Sequence, residues 1–237
     1  MNISGSYESH VAISKELKMH SDFVKAREPH KEAFEKIYEE AKDEKINISN
    51  AKEFLNSLSK EELSTLQHYS GLADEIKTGK LNDEGAYNLL LHHYEKFDFD
   101  NDGFVMDGVA KTTTLIPTNM PETEKKALVK SLNEMDEKDA FMAMMMVNLP
   151  TSFKLENGEY TPVMNEHKNY NSIMERINRI LNPLPGEYAS DEIKNTMSIF
   201  KEIFEKNYNE IKEEENRTKN EFSSNSQALR AKLEESK

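Results

Sequence analysis

The chain reads as mainly α: a compact, irregular multi-helix domain with one or two small β-hairpins. Three observations predict this. Eight glycines and seven prolines in 237 residues are roughly half the usual share, so turns are few. Apolar residues recur at i, i+3/i+4 along most of the chain. Hairpin signals are confined to two places, Asp107-Gly108 and Asn157-Gly158, each flanked by residues that favour strands.

Taken in order, the helical signal is weak from about Tyr7 to Arg27, where Val11, Leu17 and Val24 are its apolar points. Pro29 opens a clearer helix with Ala33, Phe34, Ile37, Tyr38 and Ala41 on one face. Ser49 or Asn50 caps a short helix carrying Phe54, Leu55 and Leu58. Ser59-x-x-Glu62 is a capping box, and the helix it starts is stopped by Gly71. A further helix is expected from about Asp83 to Phe97. Helix breaks off between about Asp98 and Met120, where the Asp107-Gly108 pair suits a type I′ hairpin turn. Pro121, Asp136, Asn171 and Ser190 mark the starts of later helices. Residues 1–212 are expected to form one domain. Beyond about Glu213 apolar residues almost vanish, so 213–237 reads as a charged helical or partly disordered tail.

Composition narrows the function. The net charge of −13 argues against nucleic-acid binding, which requires Lys and Arg to displace phosphate counterions. It argues equally against docking on anionic lipid. Leu, Ile, Val and Phe make up roughly a fifth of the residues, close to the floor for a folded, highly charged chain. With no cysteine, thiolate catalysis, disulfides and Cys-ligated metals are excluded. No apolar run approaches the roughly 20 residues that span a bilayer. Met1–Ser6 has neither a basic nor an apolar stretch, so no signal peptide is expected.

One segment carries chemistry. Asp98-Phe99-Asp100-Asn101-Asp102-Gly103 spells D-x-D-x-D-G. Alternating aspartates on a turning loop place three carboxylates around one point, and a hard cation such as Ca²⁺ needs six to eight oxygens. Gly103 supplies the backbone freedom for the turn, Phe104 offers its backbone carbonyl, and Val105 follows as the aliphatic eighth residue. Upstream, Leu90, Tyr94 and Phe97 stand eight, four and one residues before Asp98.

Over residues 90–109 this pattern resembles the incoming helix and first half of an EF-hand calcium loop. The resemblance implies one Ca²⁺ held by Asp98, Asp100, Asp102 and the Phe104 backbone oxygen. It departs at position twelve of the 98–109 loop, where the bidentate glutamate of the family is Val109, and no exit helix follows. Asp107 is the one nearby carboxylate left to help complete the shell. The alternative is an ion-free turn held by Asx hydrogen bonds.

Other candidates have plainer readings. His92-His93 reads as a helix pair with one ring packed and one exposed. Met142, Met144, Met145 and Met146 cannot all face one way on a short helix, so they read as core filling. Thr78-Gly79-Lys80 lacks the first glycine and the Ser or Thr of a phosphate-binding loop. No H-E-x-x-H, G-x-S-x-G or G-x-G-x-x-G occurs.

The sequence therefore points to a non-enzymatic, calcium-stabilised helical protein, monomeric, acting through a protein partner. A secreted or periplasmic setting is favoured over the cytoplasm, a secreted bacterial factor being one form of it. Two alternatives stand beside this: a cytosolic acidic adaptor without metal, and an enzyme of unrecognised type.

Overall fold

Polar side chains cap the N-termini of several helices. In the computed structural model the backbone is described for residues 3–148, 152–156, 159–163 and 168–235, and side chains for 5–148, 155 and 168–222. The first stretch is two helices, α1 (Ile3–Ser14) and α2 (Ser21–Arg27). Tertiary partners claim the backbone between them: the Lys18 N–H donates to Asn133 Oδ1 at 2.8 Å, and the Ser21 N–H donates to Glu137. Pro29 sits in a 3-10 turn leading into α3 (Lys31–Asp43), which buries Phe34, Ile37 and Ala41. α4 (Ala51–Ser57) starts after Asn50, whose side chain accepts from the Asn47 N–H and not from the helix itself. α5 (Lys60–Ser70) opens on the reciprocal Ser59–Glu62 capping box and ends at Gly71 in the left-handed conformation.

The helix expected over 83–97 is much shorter. α6 (Asp83–Asn88) is capped by Asn82, which accepts the Gly85 N–H at 2.7 Å, and it stops at Asn88. Leu89, Leu90 and Leu91 are all buried, so this stretch is enclosed on every side and lacks the solvent face of a surface helix. The His92 N–H then turns onto Glu95 Oε2 at 3.0 Å.

β1 (Val105–Asp107) pairs antiparallel with β2 (Ala110–Thr112), Asp107 opposite Ala110. The turn residues are therefore Gly108-Val109, one position later than the sequence implied. Gly108 has φ +62° and Val109 is not among the described residues with positive φ. That is the φ signature of a type II′ turn, which places glycine first.

α7 (Glu122–Asn133), α8 (Glu137–Asn148) and α9 (Tyr170–Leu181) follow, with β3 (Ser152–Glu156) and β4 (Glu159–Val163) between the last two. β3 and β4 pair antiparallel, Glu156 opposite Glu159. Their expected Asn157-Gly158 turn lies outside the described residues. α10 (Asp191–Glu235) runs 45 residues without a break, about 68 Å at 1.5 Å per residue. The 213–235 stretch is thus helical, a continuation of the helix whose Met197, Phe200 and Phe204 are fully buried.

Among the described residues burial falls into two apolar clusters. One gathers Phe34, Leu55, Leu66, Leu89 and Leu90 from α3 to the residues after α6. The other gathers Leu128, Ile173, Ile177, Phe200 and Phe204 from α7 to α10, with Ile13 from α1. Rings join them. Tyr7 of α1 lies 5.4 Å from Phe97 and 5.6 Å from Phe99, and His10 lies 5.3 Å from Phe97. α1 is thereby fixed to the run-in of the acidic loop. The methionines of α8 face different ways, Met144 inward and Met145 outward.

Candidate metal centre

The loop folds on its own carboxylates. Asp98 Oδ1 accepts the Asp102 N–H at 3.1 Å and Oδ2 the Gly103 N–H at 2.8 Å. Asp100 Oδ1 also accepts the Asp102 N–H, at 3.0 Å, and Asp102 Oδ1 accepts the Phe104 N–H at 2.8 Å. Such Asx bonds tighten a turn and tolerate left-handed residues. Here these are Asn101 at φ +59° and Gly103 at φ +91°.

α6 supplies a residue that sequence reasoning missed. Glu84, in the first turn of α6, is 4% exposed and reaches across to the loop. Its Oε2 accepts the N–H groups of Phe99 (2.9 Å) and Asp100 (3.2 Å), and its Oε1 that of Met106 (2.7 Å). One carboxylate thus spans the loop entrance and β1. Ligand oxygens of Glu84, Asp98 and Asp100 all lie within 4.8 Å of one another, with Glu84 and Asp98 buried and Asp100 exposed.

Electrostatics follow from that crowding. Burial pushes the Asp98 carboxyl up to about 6, against the pull of the Gly103 and Asp102 N–H groups and with help from the Glu84 charge. Burial likewise raises Glu84, although three backbone N–H bonds favour its ionised form. A divalent cation placed among these oxygens would reverse both shifts. Oxygen-only donors of this kind suit a hard ion, Ca²⁺ or Mg²⁺, and not a soft one.

The other expected ligands have different partners. Asp102 lies outside the 4.8 Å group, and its Oδ2 takes Lys111 Nζ at 3.1 Å. That ammonium also stands 4.0 Å from the ring centroid of Phe104. Asp107 is the buried counter-ion of Lys96, which also donates to Ser70 Oγ at 3.0 Å. Asp107 Oδ1 is buried with no hydrogen-bond partner.

His92 and His93 are not on a helix, and neither ring is fully exposed. His92 packs among Phe34, Tyr38, Tyr69 and Tyr94, stacked on the last at 5.1 Å. His93 has a buried, unpartnered Nδ1. Compared with protein-family models, curated proteins and solved structures, the chain matches none. The class defined by fold and site is a mainly α protein with a carboxylate-lined loop anchored to a short helix.

Proposed function

We propose that this chain is a non-enzymatic protein that binds one Ca²⁺ between α6 and the 98–104 loop, and that the ion serves to hold the fold. The observation that carries this reading is the convergence of Glu84, Asp98 and Asp100 oxygens within 4.8 Å, two of the three groups buried. Three carboxylates so placed repel one another unless a cation or a proton joins them. Glu84 stands in for the acid that Val109 does not supply, entering from upstream of the loop. Asp102 and the Phe104 carbonyl complete the oxygen set from the loop itself, Asp102 after release from Lys111.

A site with three clustered acids and no bidentate closing glutamate binds weakly, in the range of extracellular modules that fill near millimolar Ca²⁺. That favours action outside the cytoplasm, on a protein partner. No helix among the described residues is long and apolar enough to cross a membrane.

Calorimetry with Ca²⁺ tests the reading. One weak site per chain is expected, lost in Glu84→Gln, Asp98→Asn and Asp100→Asn. A flat titration, with the same melting temperature in Ca²⁺ and in EDTA, would sink it. One observation favours a second reading, the metal-free adaptor. Glu84 is already satisfied by three backbone N–H groups, which can hold the loop without an ion. In that case Glu84→Gln destabilises the protein equally with and without Ca²⁺.

A further inference from the structure

We propose that the cleft between residues 15–20, α7 and α8 is a binding site for a small, neutral, apolar molecule built on an aromatic ring or a short alkyl chain. The cleft encloses about 360 Å³, within the roughly 300–1,000 Å³ of small-molecule sites. Leu17, Met19, Leu132, Met135, Phe141 and Met144 face it.

The cleft is held open by polar struts. Asn133 Oδ1 accepts the Lys18 N–H at 2.8 Å, and Asn133 Nδ2 donates to Glu16 O at 2.9 Å. Glu137 accepts the Ser21 N–H and stands 3.4 Å from His20 Nδ1. These bonds fix the 15–20 connection along the edges of the cleft, so it does not collapse onto the apolar floor.

They also decide the chemistry of the ligand. Lys18 Nζ is turned onto Asn133 O at 3.4 Å. The lining residues carry one ammonium, Lys18, and one carboxylate, Glu137, so their formal charges balance. The rest of the lining is mainly apolar, and clefts of this size that are mostly apolar with a few polar groups at the edge take small apolar guests. His20, Phe23 and Phe141 form a ring cluster at the mouth, 5.7 to 6.0 Å apart. Phe23 is 38% exposed there, an uncovered ring that a guest would shield. Three unbranched thioethers, Met19, Met135 and Met144, give the walls room to adapt to its shape.

The full chain is titrated with N-phenyl-1-naphthylamine, a neutral fluorescent probe. A saturable rise with one site per chain is expected, reversed by 1-octanol and at least tenfold less readily by octanoate. In protein labelled with ¹³C at the methionine methyls, the probe should shift Met19, Met135 and Met144 and leave the fully buried Met197 in place. Ala140→Phe, which fills the cleft, should weaken the probe at least tenfold. If that variant misfolds, the methyl spectrum of the wild type decides alone. No saturable binding, displacement by octanoate as good as by octanol, or shifts confined to other methionines would overturn the proposal. Methyl shifts on adding a partner protein, with none from the probe, would overturn it too and make the cleft a protein-docking surface.

Discussion

Asn88 and Phe97 close on each other through two hydrogen bonds, Asn88 Nδ2 to Phe97 O at 3.0 Å and Phe97 N–H to Asn88 Oδ1 at 3.1 Å. The second amide hydrogen of Asn88 goes to Met106 O at 2.9 Å. A single side chain, 0% exposed, thereby ties the end of α6 to the loop entrance and to β1. Glu84, one helical turn earlier, grips the same two strands of chain through their N–H groups. Carbonyls are thus held by an amide and N–H groups by a carboxylate, so the loop is positioned from one face of α6.

Asn88→Ala would leave two carbonyls and one N–H buried without partners. Each costs about 1–3 kcal/mol, so a loss of about 3 kcal/mol or more is expected, read as a lower urea midpoint at constant slope. A change within about 0.5 kcal/mol, the range of neutral surface substitutions, would show that the clamp is dispensable.

Gly85→Ala sets two effects against each other. Alanine in a helix interior is favoured over glycine by about 1 kcal/mol. A Cβ built on Gly85, however, falls 2.0 Å from Gly108 O, a backbone atom at the hairpin turn. Gly85 O also accepts the Gly108 N–H at 3.1 Å, so the hairpin cannot move away without breaking that bond. Overpacking costs about 1–3 kcal/mol and sometimes more, and here the obstacle is backbone. Net destabilisation of at least about 1 kcal/mol is expected by thermal melting; a stabilised Gly85→Ala would mean the hairpin is not seated on α6.

These contacts show what was legible in the sequence. The capping box at Ser59 and Glu62, the stop at Gly71 and the turn glycine Gly103 are local devices, and each is where the pattern put it. The D-x-D-x-D-G loop was legible for the same reason: its Asx bonds join residues two to five apart. Glu84 was not, because it meets Asp98 from fourteen residues upstream and reads locally as a first-turn acid at a helix N-terminus. The end of α6 was missed because Leu89-Leu90-Leu91 continues a helical pattern, while the breaking bonds come from Phe97 and Met106. The one-residue shift of the hairpin turn has a similar cause. Gly108 is drawn to Gly85, and that pairing fixes which residues turn.

Lys96 and Asp107 form a buried ion pair. Burial lowers the Lys96 ammonium against the pull of Asp107. Removing one partner strands the other, so Lys96→Met should cost about 3–5 kcal/mol. Lys96→Met combined with Asp107→Leu should recover most of it, because a buried pair is often no better than apolar residues of similar volume. The double variant should also keep the calorimetric response to Ca²⁺, since Asp107 is occupied away from the carboxylate group. Loss of that response in a variant of wild-type stability would place Asp107 back among the ligands.

The last prediction concerns acid. Burial holds the imidazoles of His10 and His93 down at about 3, with Lys125 reinforcing it at His10 and Arg27, Lys96 and His92 at His93. Each Nδ1 is buried without a hydrogen-bond partner, so a proton added there gains no acceptor, and at His10 the backbone bond to Lys96 offsets burial only in part. Unfolded, both rings take a proton near 6.5. The unfolded chain therefore binds more protons between about pH 6.5 and 3, and the two rings remove stability as pH falls through that window. From pH 7.5 to 5 the loss is about 2 kcal/mol for each ring. Asp98 works in the opposite direction: its carboxyl, held at about 6, takes a proton first in the folded state and adds stability as pH falls toward 4. It is common to all variants compared, so it drops out of the difference between them. The readout is accordingly a difference. Between pH 7.5 and 5, His10→Gln combined with His93→Gln should lose about 4 kcal/mol less than the wild type by urea denaturation, and each single variant about half of that. Parallel pH profiles for the wild type and the double variant would show that these rings gain protons in the folded protein as readily as in the unfolded one.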